Sequence, residues 1–302
     1  MKIRFTKMQG CGNDYVYVNG FTEHIPQEKK PEFVRFASDR HFGVGGDGVI
    51  FINPSDEADF EMEMYNADGT RAEMCGNGIR CVAKYAHDKG LTDRARFSII
   101  SGGKVKYMDL TVENGVTKAI RVDMGEPILT AAEVPVVSKN RQSVDEEITV
   151  ENQTYRMTCV SMGNPHAVVF VDSTADLPLE QIGPHFEHHE RFPRRTNTEF
   201  VEIVSPEYVK MRVWERGTGE TLACGTGCCA TAVACVLNGK TGRKVTVEVL
   251  GGALTIQWDE KTNHIFMTGP AEFVFDGELE RRYREIFISC SAPRTWSITC
   301  SF

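Results

Sequence analysis

Two stretches of this sequence repeat one another in register, and a chain that repeats on the scale of a whole domain is restricted to a duplicated architecture. Phe60-Glu-Met-Glu-Met-Tyr65 is followed, ten positions after Tyr65, by Cys75-Gly-Asn-Gly78, and Val209-Lys-Met-Arg-Val-Trp214 is followed, ten positions after Trp214, by Cys224-Gly-Thr-Gly227. Upstream, Gly12-Asn13 opens the run Asp14-Tyr-Val-Tyr-Val18, as Gly163-Asn164 opens Pro165-His-Ala-Val-Val-Phe-Val171. Asp47 stands just before Gly48-Val-Ile-Phe-Ile52, as Asn197 stands before Thr198-Glu-Phe-Val-Glu-Ile-Val204. Asn13 to Cys75 spans 62 positions and Asn164 to Cys224 spans 60, so the matches keep their order and spacing.

Alternating or β-branched runs predict strands at Asp14 to Val18, Val49 to Ile52, Phe60 to Tyr65, Phe97 to Ile100, Lys104 to Val112 and Lys118 to Val122. A second series follows at Ala167 to Val171, Glu199 to Val204, Val209 to Trp214, Val245 to Leu250, Ala253 to Trp258 and His264 to Met267. Helical patterns cover Glu32 to Asp39, Asn77 to Asp88, Leu179 to Phe186 and Gly227 to Asn238. The expected fold is α+β: two pseudo-symmetric domains, each a barrel-like, mostly antiparallel sheet around a central helix, with the active site in the interdomain cleft. Turn-forming residues at Met124-Gly-Glu-Pro127 place the break there. The expected domains are 1–123, with 270–302 returning to it, and 124–269.

A net charge of −8 with scattered Lys and Arg gives no basic face for a phosphate backbone, so nucleic acid is not an expected partner. No stretch approaches the roughly 20 apolar residues of a membrane span, and the start has no apolar signal core, so a soluble, cytoplasmic protein is expected. In such a chain the ten cysteines read as reduced thiols, mostly small buried hydrophobes, and they lack the paired spacing of a zinc site. No metal is expected, and the cluster of His185, His188 and His189 reads as solvated surface.

Cys75 and Cys224 stand apart because each precedes a Gly-x-Gly turn that opens a helix. Unsatisfied amides and the macrodipole at a helix N-terminus stabilise anions, which lowers a thiol pKa and offers a carboxylate a seat. One such turn is ordinary backbone chemistry; two at matched positions point to function. A thiolate and a thiol on opposite sides of one carbon can remove a proton from one face and deliver another to the other, which inverts the centre without any cofactor. His166, in the repeated turn, reads equally as structural or functional, and Glu215-Arg216 matches Asn66-Ala67 in the other half.

These residues resemble the diaminopimelate epimerase family. The likeness runs through Lys7-Met-Gln-Gly-Cys-Gly-Asn-Asp14, Tyr65-Asn-Ala-Asp-Gly-Thr70, Met74-Cys-Gly-Asn-Gly78, Gly163-Asn-Pro-His166, Arg191-Phe-Pro193, Thr196-Asn197, Glu215-Arg-Gly217 and Ala223-Cys-Gly-Thr-Gly227. The resemblance implies cofactor-independent interconversion of L,L- and meso-diaminopimelate, in lysine and cell-wall precursor synthesis, by a homodimer. It implies that Cys75 and Cys224 are the acid/base pair and that the amides of Gly76-Asn77 and Gly225-Thr226 hold the reacting carboxylate. Glu215 and the Arg216 main chain would receive the reacting amino group. Asn66, Asn164, Asn197 and the Arg216 side chain would read the distal end, with Asn13 lining the site and His166 assisting one thiol. Polar groups built for a second zwitterion would reject a monoamino acid.

Proline racemase or hydroxyproline epimerase is the nearest alternative, but its first motif reads Cys-Gly-His-Gly. The phenazine-biosynthesis isomerase type lacks the paired cysteines. A non-catalytic thiol protein, closing a Cys75 to Cys224 disulfide, is a third reading that turnover under reducing conditions separates. Two features depart from the family: Gly48 stands where some members carry Gln, and the tail from Glu278 to Phe302 runs past the usual end. A short helix at Leu279 to Phe287 is expected there.

Overall fold

The structure, a computed structural model, describes residues 2–72, 74–281 and 296–301. The chain forms two compact units, Met1–Lys118 with Ala271–Phe302, and Ala119–Pro270. In the first, β1 (Lys2–Gly10) pairs antiparallel with β2 (Asn13–Asn19), and after α1 (Lys30–Ser38) β2 pairs parallel with β3 (Gly48–Asn53). Next, β3 pairs antiparallel with β4 (Phe60–Asn66), which pairs antiparallel with the short β5 (Arg71–Ala72). Beyond α2 (Gly76–Asp88), β6 (Arg96–Ser101) lies parallel to β4 and pairs antiparallel with β7 (Lys104–Glu113). The chain then enters β8 (Val116–Gly125).

The second unit runs through the same order of pairings. Its β9 (Glu146–Val150) is antiparallel to β10 (Gln153–Ser161), which is antiparallel to β11 (Pro165–Phe170). After α3 (Leu179–Glu187), β12 (Asn197–Ser205) lies parallel to β11, and β13 (Tyr208–Glu215) pairs antiparallel with β12 and with the short β14 (Gly219–Glu220). Beyond α4 (Gly225–Leu237), β15 (Lys244–Val249) lies parallel to β13, followed by antiparallel β16 (Gly252–Trp258) and β17 (Ile265–Gly269), and β17 closes on β8. From β1 to β7 and from β10 to β16 the sequence of pairings is antiparallel, parallel, antiparallel, antiparallel, parallel, antiparallel. The duplication read from the motifs is thus a duplication of topology.

Local sequence explains the central elements. Five consecutive residues are buried in β3 and in β11, the apolar run of strands covered on both faces beside parallel neighbours. α2 buries Ile79, Val82, Ala83 and Ala86 against β1, β2 and β7. α4 carries almost no polar face, and Cys228, Cys229, Ala232 and Val233 are enclosed by β10, β11, β12, β15, β16 and β17. A helix apolar all round belongs inside its sheet. Both helices stop the same way: Gly90 and Gly239 take left-handed backbone, while Leu91 N–H donates to Ala86 O at 2.8 Å and Lys240 N–H to Cys235 O at 2.9 Å.

Several strands escape the alternation rule. β1 buries Thr6 and Lys7 among its apolar residues and bulges between Lys7 and Met8, so its period is broken. β10 is exposed at its start and continuously buried from Met157 to Ser161. At Gly48 an added Cβ would lie 2.0 Å from the Tyr65 carbonyl oxygen, so the close approach of β3 and β4 requires glycine in this chain. The helix expected at Leu279 to Phe287 is corrected at its start: Leu279 to Arg281 complete β18 (Glu272–Arg281), antiparallel to β1, where Leu279 is fully buried. Residues 282–287 lie outside the described residues. β19 (Trp296–Ser301) pairs antiparallel with β18. No helix among the described residues is long and apolar enough to cross a membrane.

Candidate active site

Cys75 is the N-cap of α2 and Cys224 the N-cap of α4, both with extended backbone, and both helices are 13 residues long. Each thiol therefore sits at the positive end of a helix, beside first-turn amides that have no intrahelical acceptor. The glycines after each cysteine have a steric reason. A Cβ at Gly78 would lie 2.7 Å from Ile50 Cδ1, and one at Gly227 would lie 2.6 Å from Glu199 Oε1.

In the first unit Cys75 Sγ accepts from Gly78 N–H at 3.3 Å and donates to Asn13 Oδ1 at 3.0 Å. Asn13 Nδ2 donates to Asp47 Oδ2 at 2.5 Å, which fixes the amide with its oxygen toward the thiol. Asp47 and Asp14 are in turn bridged by Arg40, and Lys7 reaches Asp14 at 2.5 Å. Burial and then the neighbouring Cys75 push the Tyr15 hydroxyl up from its ordinary range. Asn77 Oδ1 accepts from the buried Arg80 guanidinium at 2.9 Å, which also donates to Gly76 O. Asn66, at the end of β4, is exposed and donates to Thr70 Oγ1 within its own turn.

The second unit surrounds its thiol with ionisable groups. Ligand atoms of Cys224, His166 and Glu199 lie within 4.8 Å of one another, all three residues buried. His166 Nδ1 is 2.7 Å from Glu199 Oε1 and its Nε2 is 3.0 Å from Asn164 Oδ1. Asn164 Nδ2 donates to Thr226 Oγ1 at 3.3 Å, and Thr226 Oγ1 is 3.6 Å from Cys224 Sγ. Donor types and spacing would admit a metal ion; both His166 nitrogens and Glu199 Oε1 are engaged in hydrogen bonds. Burial, then the carboxylates of Glu215 and Glu199, push the Cys224 thiol well up, while Thr226 and the Gly227 amide pull it down. Burial also raises Glu215, against the pull of its bond from Thr221 and the nearby His166.

Asn197 commits both ends of its side chain to protein: Oδ1 accepts from Arg216 N–H at 2.9 Å and Nδ2 donates to Pro165 O at 2.9 Å. It thereby ties β12 to the turn after Glu215 and leaves the Arg216 carbonyl as the main-chain acceptor there. The Arg216 guanidinium donates to Arg194 O. Behind this turn the buried Glu187 accepts from Trp214 Nε1, Gly217 N–H and Arg195. The structure thus gathers Asn13, Gly76 and Asn77 around Cys75, and Asn164, His166, Glu215, Gly225 and Thr226 around Cys224. Glu199 was missed by sequence reasoning; its only signal was a carboxylate amid the apolar run Thr198-Glu-Phe-Val201.

This duplicated architecture is shared by several solved structures. A PhzF-family phenazine biosynthesis protein from Bacillus anthracis superposes with a TM-score of 0.65 at 15% identity, covering 92% of this chain and 99% of that one. A hydroxyproline epimerase from Agrobacterium vitis gives 0.63 at 12% identity, covering 92% and 90%. At these identities the likeness is one of fold. Sequence places the chain more closely: the family model described as diaminopimelate epimerase matches residues 5–130 and 158–274. The chain belongs to the diaminopimelate epimerase family. Among its relatives, the diaminopimelate epimerase of Methanococcus maripaludis strain C5 is 55% identical over 92% of this chain and 100% of its own length, and that of Agathobacter rectalis is 57% identical over 92% and 99%.

Proposed function

We propose that this chain is an isomerase that interconverts L,L- and meso-diaminopimelate, serving lysine and cell-wall precursor synthesis, with Cys75 and Cys224 as its acid/base pair. The observation that carries the reading is the repeated placement of a cysteine as N-cap of a 13-residue helix, in a chain of this family.

The chemistry follows from that placement. One thiolate removes the α-proton, and the other cysteine, as thiol, protonates the opposite face. The carbanion is an aci-enolate whose charge develops on the carboxylate oxygens, and the amides of Gly76-Asn77 and Gly225-Thr226 are the preorganised donors for those oxygens. Glu215 and the Arg216 carbonyl take the reacting ammonium group. Asn66, Asn164, Asn197 and the Arg216 side chain recognise the distal amino-acid end, with Asn197 acting partly by holding the Arg216 main chain, and Asn13 orients Cys75. No step calls for a cofactor, because the acid, the base and the charge-stabilising donors all come from the chain. A cytoplasmic homodimer accompanies this reading, and sedimentation equilibrium tests the dimer.

The test is epimerisation of L,L-diaminopimelate in heavy water, with reductant and no added cofactor, in the parent, Cys75→Ala and Cys224→Ala proteins. Inverted product should carry solvent deuterium at the α-carbon, and each variant should lose about 10²–10⁴-fold in kcat, the range of a lost general acid or base. Inversion at near-parent rate in either single variant would sink the two-thiol mechanism. Turnover of proline in place of diaminopimelate would sink the substrate assignment.

A further inference from the structure

His166 stands between two hydrogen-bond acceptors. Nδ1 faces Glu199 Oε1 at 2.7 Å and Nε2 faces Asn164 Oδ1 at 3.0 Å, with the His166 and Glu199 side chains both 0% exposed. A neutral imidazole has one N–H and one lone pair, so it can donate to only one of them; an imidazolium donates to both. At its other end Asn164 Nδ2 donates to Thr226 Oγ1. In that arrangement the Thr226 hydroxyl hydrogen is not needed by Asn164 and is free to donate to Cys224 Sγ, where it stabilises a thiolate. If His166 is neutral with Nδ1–H on Glu199, its Nε2 needs a donor. Asn164 then turns over, its oxygen accepts from Thr226, and Thr226 Oγ1 becomes an acceptor for a Cys224 S–H.

We propose that Glu199 is a positioning residue that, by holding His166 as its buried anchor, couples the charge of His166 to that of Cys224 through Asn164 and Thr226. Glu199 accepts the hydrogen bond from Nδ1–H in both arrangements, so the chain has two self-consistent states: imidazolium with thiolate, and neutral imidazole with thiol. The Glu199 carboxylate is fully buried, and its second oxygen, Oε2, has no hydrogen-bond partner, so its bond to His166 is what holds it there. Among the described residues Glu215 of β13 also faces Cys224, and its carboxylate opposes a thiolate there. The inference rests on Cys224 acting as a proton carrier, but its geometry is independent of the substrate.

Two measurements test it without requiring turnover. The first needs no change at Glu199: nitrogen-15 spectra of imidazole-labelled protein, with His166 assigned by loss of its signals in His166→Gln. At pH 7 the parent ring should carry protons on both nitrogens, and Cys224→Ser should convert it to the singly protonated Nδ1–H form. A neutral His166 in the parent, or a ring state indifferent to Cys224→Ser, overturns the coupling. The second is the pH dependence of iodoacetamide alkylation at Cys224, followed by peptide mass spectrometry. Glu199→Gln, which keeps the shape but removes the charge, should slow alkylation at pH 7 at least 10-fold and converge on the parent at high pH. Glu199→Asp should recover part of the loss. Superimposable pH profiles for parent and Glu199→Gln would reduce Glu199 to a packing role. Loss of epimerisation with the profiles and ring states as described would fault the substrate assignment and leave this coupling intact.

Discussion

The matched glycines Gly78 and Gly227 should respond unequally to the same substitution. Alanine in a helix interior gains about 1 kcal/mol over glycine, and since both glycines stand in a first turn, at most that gain applies to either. At Gly78 the added methyl meets the terminal Cδ1 of Ile50 at 2.7 Å, with Cys75 Cβ next at 3.4 Å. A methyl at the end of a flexible side chain can rotate away, so Gly78→Ala should remain within about 1 kcal/mol of the parent. At Gly227 the methyl meets Glu199 Oε1 at 2.6 Å and both Cβ and Sγ of Cys224 at 3.2 Å. That oxygen is the one bonded to His166 and cannot move without weakening a buried charge-assisted bond. Overpacking costs about 1–3 kcal/mol, and losing a hydrogen bond to a charged group costs about 1.5–3 kcal/mol. Set against a helix gain of at most that size, Gly227→Ala should destabilise by about 1.5–6 kcal/mol. Urea unfolding of the two variants, compared at equal m-value, reads the difference directly. Equal stabilities, or a Gly227→Ala protein as stable as the parent, would refute the claim that Glu199 is held rigidly behind the Cys224 turn.

Glu63 gives the first unit an acid limit. Burial by itself would raise its carboxyl, but Lys30, Gln27, Tyr65 and Asn53 together outweigh that and hold it at about 2. A depressed carboxyl contributes stability that is complete above its unfolded value near 4.5 and is lost as pH falls toward 2. The contribution is about 3 kcal/mol, and Glu63→Gln should flatten the unfolding midpoint against pH across that window; an unchanged acid limb would count against it. Glu187 is the buried acceptor for Trp214 and Gly217 behind the Glu215 turn, so Glu187→Ala should cost about 2–4 kcal/mol by leaving both donors unpaired. Denaturation and the Trp214 fluorescence maximum test this together, and a stability within about 0.5 kcal/mol of the parent would contradict it.

The duplicated topology was legible because its signals are local: apolar runs for the strands buried on both faces, and Cys-Gly-x-Gly where a helix begins. Pattern reading passed over β1, β9, β10 and β18; of these, β1 and β10 bury polar residues such as Thr6, Lys7 and Thr158 beside apolar ones, and only long-range partners make those residues suitable for an interior. The candidate site was legible at its cysteines, Asn13, Asn164 and Glu215, whose turns repeat, whereas Asn66 bonds Thr70 within its own exposed turn and Asn197 ties β12 to the Arg216 main chain. Glu199 was not, because in a linear reading it is one of two carboxylates in β12; Glu202 meets Thr174, whereas Glu199 lies fully buried against His166. The distinction exists only after β12 is laid parallel to β11.

The strand pairing of the first unit also orders the events of synthesis. β1 lies between β2 and β18, and the bond from Thr6 to Asp276 joins residues 270 positions apart. A chain emerging from its N-terminus therefore presents β1 with one edge open until β18 has been made, whereas the second unit is continuous from Ala119 to Pro270. Although its sequence is translated later, the second unit is the first whose strands can all find their neighbours. The ribosome-bound intermediate to expect is one with a finished second unit and an unsealed first, and its exposed β1 edge is the place where a chaperone or a neighbouring nascent chain would compete with β18.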